Sequence, residues 1–295
     1  MQSRVCVWAV LAVTLTGSWT SAAPQHRQDV TVTLSGRARQ PGEVMRLSVS
    51  CECRAANARA TVFGHDVPLV HVGNQWEGLI GIDLDVVPGS HAIAVRLEPQ
   101  SAPAISATRT FIVRAKQFPT RHLSVASQFV DPPASEIERI QDEARTLSAI
   151  YENTATPRQW QEPFQRPVAA PANSSFGTRS VFNGQPRSPH SGADFPAPTG
   201  TPVTAPAGGI IRLAASQYFT GNTIVIDHGL GLYSVLAHLS TISVTLGDHV
   251  TAGQQVGLVG ATGRVTGAHL HWSVRLNGAR VDPLSLIAAT TTKQG

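Results

Sequence analysis

The chain has 295 residues, 42% hydrophobic and 14% charged, which is room for about two domains and too apolar for a wholly disordered polymer. Its net charge of +4 is mild and it holds no dense Lys/Arg tract, so composition gives nucleic-acid binding no support and an anionic polymer partner only a little. Twenty prolines and 25 glycines favour turn-rich β architecture over helical bundles.

The first residues read as an export signal. MQSR carries positive charge, VCVWAVLAVTLTGSW is an apolar run of about 15 residues, and TSAA supplies small residues for cleavage near Ala22 or Ala23. The run is short for a membrane span, and no Leu-x-x-Cys pattern precedes a cysteine. The expectation is a signal peptide over residues 1–23 and an exported mature protein, periplasmic or extracellular, with no stable membrane insertion after cleavage. Cys6 leaves with that segment. Cys51 and Cys53 remain in MRLSVSCECR, where Met45, Leu47, Val49, Cys51 and Cys53 alternate with polar residues. That alternation favours two small buried side chains on one strand face. A Cys51–Cys53 disulfide is the alternative in an oxidising compartment, although an i,i+2 bridge needs distorted backbone.

From 27 to 116, short alternating runs (DVTVTLSG, VMRLSVSCEC, RATVFG, HAIAVRLEP, ATRTFIVRA) are separated by turn-rich pieces. They predict an Ig-like β-sandwich without evident chemistry of its own. Residues 117–166 read as a connector carrying one helix over 136–152, with a capping box at Ser135 and Glu138. Ile137, Ile140, Ala144, Leu147 and Tyr151 recur at helical spacing and predict an apolar stripe packed on one of the domains. Residues 167–287 return to strands joined by glycine-bearing turns, a compact, mostly antiparallel β domain, followed by a tail over 288–295. No Gly-x-Gly-x-x-Gly opens a helix there, so these glycines are not a phosphate cradle.

This last domain holds six of the 11 histidines. PHSGADF places His190 and Asp194 four apart, YSVLAHLS contains His238, and GAHLHWSV places His269 and His271 on one face of a strand, with Leu270 and Trp272 on the other. Two histidines and a carboxylate suit zinc, and three protein ligands leave a fourth tetrahedral position open for catalysis. HEXXH is absent, so a helical metalloprotease site is excluded. Spacing alone leaves a zinc site and a set of structural histidines both open. His228, in IDHG, reads as a turn histidine bonded to backbone, His249 as a surface turn residue, Tyr233 as packing beside the cleft and Trp272 as core.

HSGAD, then AHL, then HLHW, within one glycine-rich β domain, closely resemble the M23 zinc metallopeptidases of the lysostaphin and LytM type. The resemblance covers about residues 170–286 and extends to SSFGTR, APTGTPVTAPAGGII, GDHVTAGQQVGLVGATGRVTGAHLHW and RLNGARVDPL. In the last of these, Asp282 stands where the family often has Asn, with no effect expected on the metal site. The resemblance implies a mainly β catalytic domain of the duplicated-hybrid-motif type. It implies His190, Asp194 and His271 as Zn2+ ligands, with His238 and His269 as unligated catalytic histidines. It implies hydrolysis of peptide bonds in peptidoglycan stem peptides or cross-bridges. Arg179 and Asn183, just before the first motif, are candidates to line the cleft and touch substrate. The alternative is a non-catalytic LytM-type regulator that activates cell-wall amidases; five filled functional positions argue against it. The order of domains suits an autoinhibitory contact in which the N-terminal domain occludes the groove.

Overall fold

The computed structural model describes residues 29–291 apart from positions 125, 162 and 174; the expected signal peptide lies outside the described residues. The chain is mainly β. The first eight strands are β1 (Val30–Gly36), β2 (Val44–Cys51), β3 (Ala55–Val62), β4 (His65–Val67), β5 (Val70–Val72), β6 (Gln75–Gly81), β7 (Gly89–Pro99) and β8 (Ile105–Val113). They form two four-stranded antiparallel sheets, ordered β1-β2-β6-β5 and β4-β3-β7-β8. Period-two alternation puts Met45, Leu47 and Val49 of one sheet against Ala60, Ile93, Val95 and Leu97 of the other in a shared core. The sequence pattern passes over β6, whose glycine-interrupted QWEGLIG lacks clean alternation, yet it pairs with β2 along seven residues at the centre of its sheet.

Both cysteines pack in the sandwich core as expected, and of the two readings of their sulfurs the structure shows the disulfide. β2 ends at Cys51, Cys53 follows in a turn, and the two sulfurs are joined in a disulfide.

After the sandwich come β9 (Thr120–Leu123), a 3-10 turn (Ser127–Phe129) and α1 (Ala134–Glu152). The helix begins two residues before the expected start, with Pro133 at its N-cap and no side-chain capping bond, so Ser135 lies inside the helix and forms no capping box. Its apolar stripe docks only through its last turns. Leu147, Ile150 and Tyr151 pack on Val225, Tyr233 and Val235, whereas Ile137 is 40% exposed.

The second body contains β10 (Arg179–Phe182), β11 (Gln185–Pro186), β12 (Gly192–Pro196), β13 (Pro202–Thr204), β14 (Gly209–Gln217), β15 (Gly221–Asp227), β16 (Leu232–Ile242), β17 (His249–Val250), β18 (Gln255–Val259), β19 (His269–Leu276) and β20 (Ala279–Val281). A second helix, α2 (Pro283–Thr291), follows and runs through the start of the expected tail, burying Ala289 and Thr290. The principal sheet is ordered β12-β19-β16-β15-β14-β17. β16 is buried on both faces from Leu232 to Leu239 because α1 covers the face turned away from the core. The connector after α1 is also part of this body. Phe164 and Val168 enter its core, Gln159 N–H donates to the His228 carbonyl at 2.9 Å, and Thr156 Oγ1 donates to Asp227 at 2.7 Å. No helix among the described residues is long and apolar enough to cross a membrane.

The sandwich is seated on α2 and β20, away from the cleft described below. Val44 joins the second core, its N–H donates to Ser285 Oγ at 2.9 Å, and Ser285 Oγ donates to Glu43 at 2.7 Å. Arg37 bridges Glu43 at 3.0 Å and Asp282 at 2.6 Å, and Arg280 holds Asp83 through Nε at 3.0 Å. Asp282 thus works at the domain contact, where its N–H also meets the Gly42 carbonyl at 2.8 Å. Gly42 has φ +89°, and a Cβ there overlaps the buried Phe176 ring. The left-handed backbone alone costs an L residue roughly 1–2 kcal/mol, and the overlap adds to it. Gly42→Ala is therefore expected to lower unfolding stability by about 2 kcal/mol or more, read as a shifted urea midpoint at unchanged slope.

Candidate functional site

One strand pairing assembles the centre. β12 lies antiparallel to β19 with Asp194 directly opposite His271 and Pro196 opposite His269. Alternation along β19 buries Leu270, Trp272, Val274 and Leu276 and turns His269 and His271 to the other face. On β12 the same rule sends Ala193 and Phe195 into the core and leaves Asp194 beside the histidines. His190, four residues before Asp194, approaches from the loop leading into β12. Gly192 makes the approach feasible: a Cβ there stands 2.5 Å from the Trp272 carbonyl oxygen and 2.7 Å from His271 Cε1.

Three donor atoms converge. His190 Nε2 lies 3.0 Å from Asp194 Oδ1, His271 Nδ1 lies 2.9 Å from the same oxygen, and the two nitrogens are 3.1 Å apart. His190 Nδ1 donates to the Ser175 carbonyl at 3.2 Å; a carbonyl can only accept, so in neutral His190 the Nε2 presents its lone pair to the carboxylate oxygen. Two lone pairs facing each other need a positive charge between them. A metal ion supplies it. His, carboxylate and His in mutual contact, with the backbone fixing one imidazole, are a donor set that fits a zinc ion.

The other two histidines adjoin this set. The His238 and His269 rings are 4.9 Å apart, and His269 Nε2 lies 3.8 Å from Asp194 Oδ1. Both send Nδ1–H to a backbone carbonyl, Thr262 at 2.9 Å and Gly267 at 2.8 Å, which leaves each Nε2 as the unengaged ring nitrogen. His238 reaches the site through a β-bulge. Between Ile224, opposite Leu236, and Asn222, opposite Leu239, β16 has one residue more than β15, and His238 takes φ +65°. Ala237 is paired with His271, so strict alternation would have sent His238 to the far face.

Electrostatics follow from burial and these contacts. Burial pushes the Asp194 carboxyl up, but the His190 and His271 imidazoles outweigh it and hold the group far below the usual carboxylate range. Burial, reinforced by the like charge of His271, pushes His238 down to about 3. Burial also lowers His271, against the pull of Asp194.

The cleft around the centre has a volume of about 570 Å³. One wall is a small sheet in which β9, from the connector, runs parallel to β10, with Arg121 opposite Ser180 and Leu123 opposite Phe182. Arg121, Leu123, Ser180 and Phe182 face the cleft. Arg179, exposed on the other face by alternation, and Asn183, in the following turn at φ +50°, are not among the lining residues. Arg187 and Arg264 line the cleft instead, and the Arg264 guanidinium sits between the Phe219 and Phe182 rings, 4.7 and 5.0 Å from their centroids. No residue of β1–β8 lines the cleft. Sequence reading missed all three arginines. Arg121 carries no signal at all, because only a long-range parallel pairing brings it here.

The remaining residues sort by burial. His228 is fully buried, with Nδ1 donating to the Gly208 carbonyl at 2.7 Å and Nε2 meeting Ser234 Oγ at 2.9 Å. Trp272 Nε1 donates to the same hydroxyl at 3.0 Å. His249 is exposed on β17. Tyr233 does not flank the cleft; it packs edge-on to Tyr151 beneath α1 and donates to the Asn153 carbonyl.

A family model described as peptidase family M23 matches residues 188–283. The crystal structure of a Pseudomonas aeruginosa protein assigned to peptidase M23 is similar over 85% of this chain and 96% of that one, at 33% identity and a TM-score of 0.66. The DD-carboxypeptidase/endopeptidase Mpg of Neisseria meningitidis serogroup B is 44% identical over 101 residues, 34% of this chain and 23% of that protein. The peptidoglycan DD-endopeptidase ShyA of Vibrio cholerae is 39% identical over 113 residues, 38% of this chain and 26% of that protein. The matches span about a quarter of the length of these two relatives.

Two outcomes are expected from this geometry. His238→Gly should unfold at a higher urea concentration than His238→Ala, by about 1 kcal/mol, because only glycine relieves the left-handed backbone; equal midpoints would remove strain from the account of the bulge. His228, pushed down to about 4 mainly by burial, stays neutral in the fold while the unfolded chain protonates near pH 6.5. Its contribution is therefore complete above pH 6.5 and is lost as pH falls towards 4, by up to about 1.4 kcal/mol per pH unit. His228→Gln should flatten that part of the stability–pH curve.

Proposed function

The chain belongs to peptidase family M23, and on that premise we propose that it is an exported zinc endopeptidase hydrolysing peptide bonds in bacterial peptidoglycan. The observation that carries the reading is the convergence of His190 Nε2, Asp194 Oδ1 and His271 Nδ1 within 3.1 Å of one another beside two unligated imidazoles. Relatives named as peptidoglycan DD-endopeptidases support the substrate class, and the order of charge, apolar run and small residues at the N-terminus supports export.

His190, Asp194 and His271 would hold zinc, leaving one side of the site open to the cleft. A zinc ion bound there supplies Lewis-acid charge for the scissile carbonyl and makes water a better nucleophile at neutral pH. Asp194, kept ionised by its neighbours, lowers the net charge of the centre. Ser175 and Thr262 carbonyls fix the His190 and His238 rings, so their reactive nitrogens need no reorientation when substrate arrives. His269 offers Nε2 as the atom that takes a proton from the attacking water and returns it to the leaving amine, while His238, kept neutral by burial, presents its Nε2 lone pair to the same space. The regulator alternative has no observation in its favour, since no functional position is vacated.

The mature protein is expected to carry about one zinc per chain and to release new amines from purified wall. His271→Ala should lose both metal and turnover. His269→Ala should keep the metal and lose turnover by about 100-fold or more. Metal analysis beside amine release checks this. A wild-type chain that takes up no zinc, or a His269→Ala protein that cleaves like wild type, would overturn the assignment.

A further inference from the structure

The cleft is lopsided in charge. Besides the histidines, its lining among the described residues holds three guanidiniums, Arg121, Arg187 and Arg264, and a single carboxylate, Asp194, committed to the metal donors. Arg187 Nη2 donates to the Val130 carbonyl at 2.6 Å and to Gln185 Oε1 at 2.8 Å, and both acceptors are neutral. The Arg121 side chain makes no hydrogen bond or ion pair to any described residue, and Nε of both Arg121 and Arg187 is buried without an acceptor. Buried guanidinium donors without acceptors are costly to keep. The Arg264 guanidinium is held in place between Phe182 and Phe219. Burial pushes Arg264 below its ordinary range, and the like charge of Arg187 adds to this, so the two are near enough to repel. Such an arrangement is relieved by an anion entering between the arginines, and the planar fork of arginine matches a carboxylate.

We propose that Arg121, Arg187 and Arg264 form a carboxylate-binding subsite of the cleft that selects substrate peptides bearing a free acid group next to the bond presented to the metal centre. The proposal rests on the peptidase reading given above and narrows its substrate class to acidic stem peptides, against neutral glycine bridges or amidated stems. Two of the three arginines, Arg121 and Arg187, lie outside the stretch matched by the family model, and Arg121 comes from the interdomain connector. These arginines are specificity residues, so their loss should raise KM on acidic substrates with kcat little changed.

Calorimetric titration of the full zinc-loaded chain with two soluble stem tetrapeptides, each shown by chromatography to be intact after the titration, tests this as binding apart from turnover. One carries free carboxylates; the other carries carboxamides, introduced one position at a time to locate the recognised group. The free acid should bind about tenfold more tightly, with an advantage that shrinks as salt is raised. Arg121→Gln with Arg187→Gln should abolish the difference while zinc content is unchanged. Because Arg187 also ties down the Val130 loop, Arg121→Gln alone, which removes a side chain with no hydrogen bond of its own, is the second variant and should shrink the gap measurably. Equal affinity for acid and amide in the wild type, or a gap that survives in both variants, would overturn the subsite. Preference for the acid without any cleavage of wall would instead overturn the hydrolase reading and leave the subsite standing.

Discussion

The pairing of Asp194 with His271 across β12 and β19 is the constraint on which the rest depends. A slip of one residue turns every side chain of a strand to its opposite face, so the metal donors exist only in this register. The register is held by apolar chemistry. Ala193 and Phe195 on one strand, Leu270 and Trp272 on the other, fill the core from the reverse side of the same residues' neighbours. Trp272 and His228 share the Ser234 hydroxyl, which anchors β19 to β16 and the turn after β15. The polar centre is therefore positioned by the hydrophobic layer beneath it, and changes in that layer reach the metal donors through the backbone.

Around that centre, the main chain sets the direction of the chemistry. Carbonyls of Ser175, Thr262 and Gly267 each take an Nδ1–H, so three imidazoles meet the cleft in one tautomer. His238 reaches this arrangement only through a left-handed residue in a bulged strand, a local distortion sustained by the ordered strands on either side. Asp194 contributes a fixed negative charge beside His238 and His271, both of which burial pushes down.

The sequence made some of this legible and hid the rest for identifiable reasons. His269 and His271 on one face, with Trp272 opposite, follow from a period of two, and the strand obeys it. Asp194 beside His190 is a local spacing. His238 breaks the period, so only the family resemblance pointed to it. The apolar stripe of α1 is real at Leu147 and Tyr151 but fails at Ile137, because periodicity marks a face without saying how far the partner surface extends. Asp282 looked incidental because its partner, Arg37, is 245 residues away. The cleft arginines were invisible for the same reason, while Arg179 and Asn183 drew attention through proximity in the chain alone.

The parallel pairing of β9 with β10 divides the cleft's ancestry along the polypeptide. The donors and imidazoles come from β12, β16, β19 and the loop before β12, whereas Arg121 and Leu123 of the facing wall come from a stretch ahead of α1. The cleft wall is thus assembled from two passages of the chain, since Arg187 and Arg264 lie in the same body as the histidines. Substitutions near residue 121 change the facing wall without touching His190, Asp194 or His271, and a graft that transfers only the histidine-bearing strands leaves that part of the wall behind.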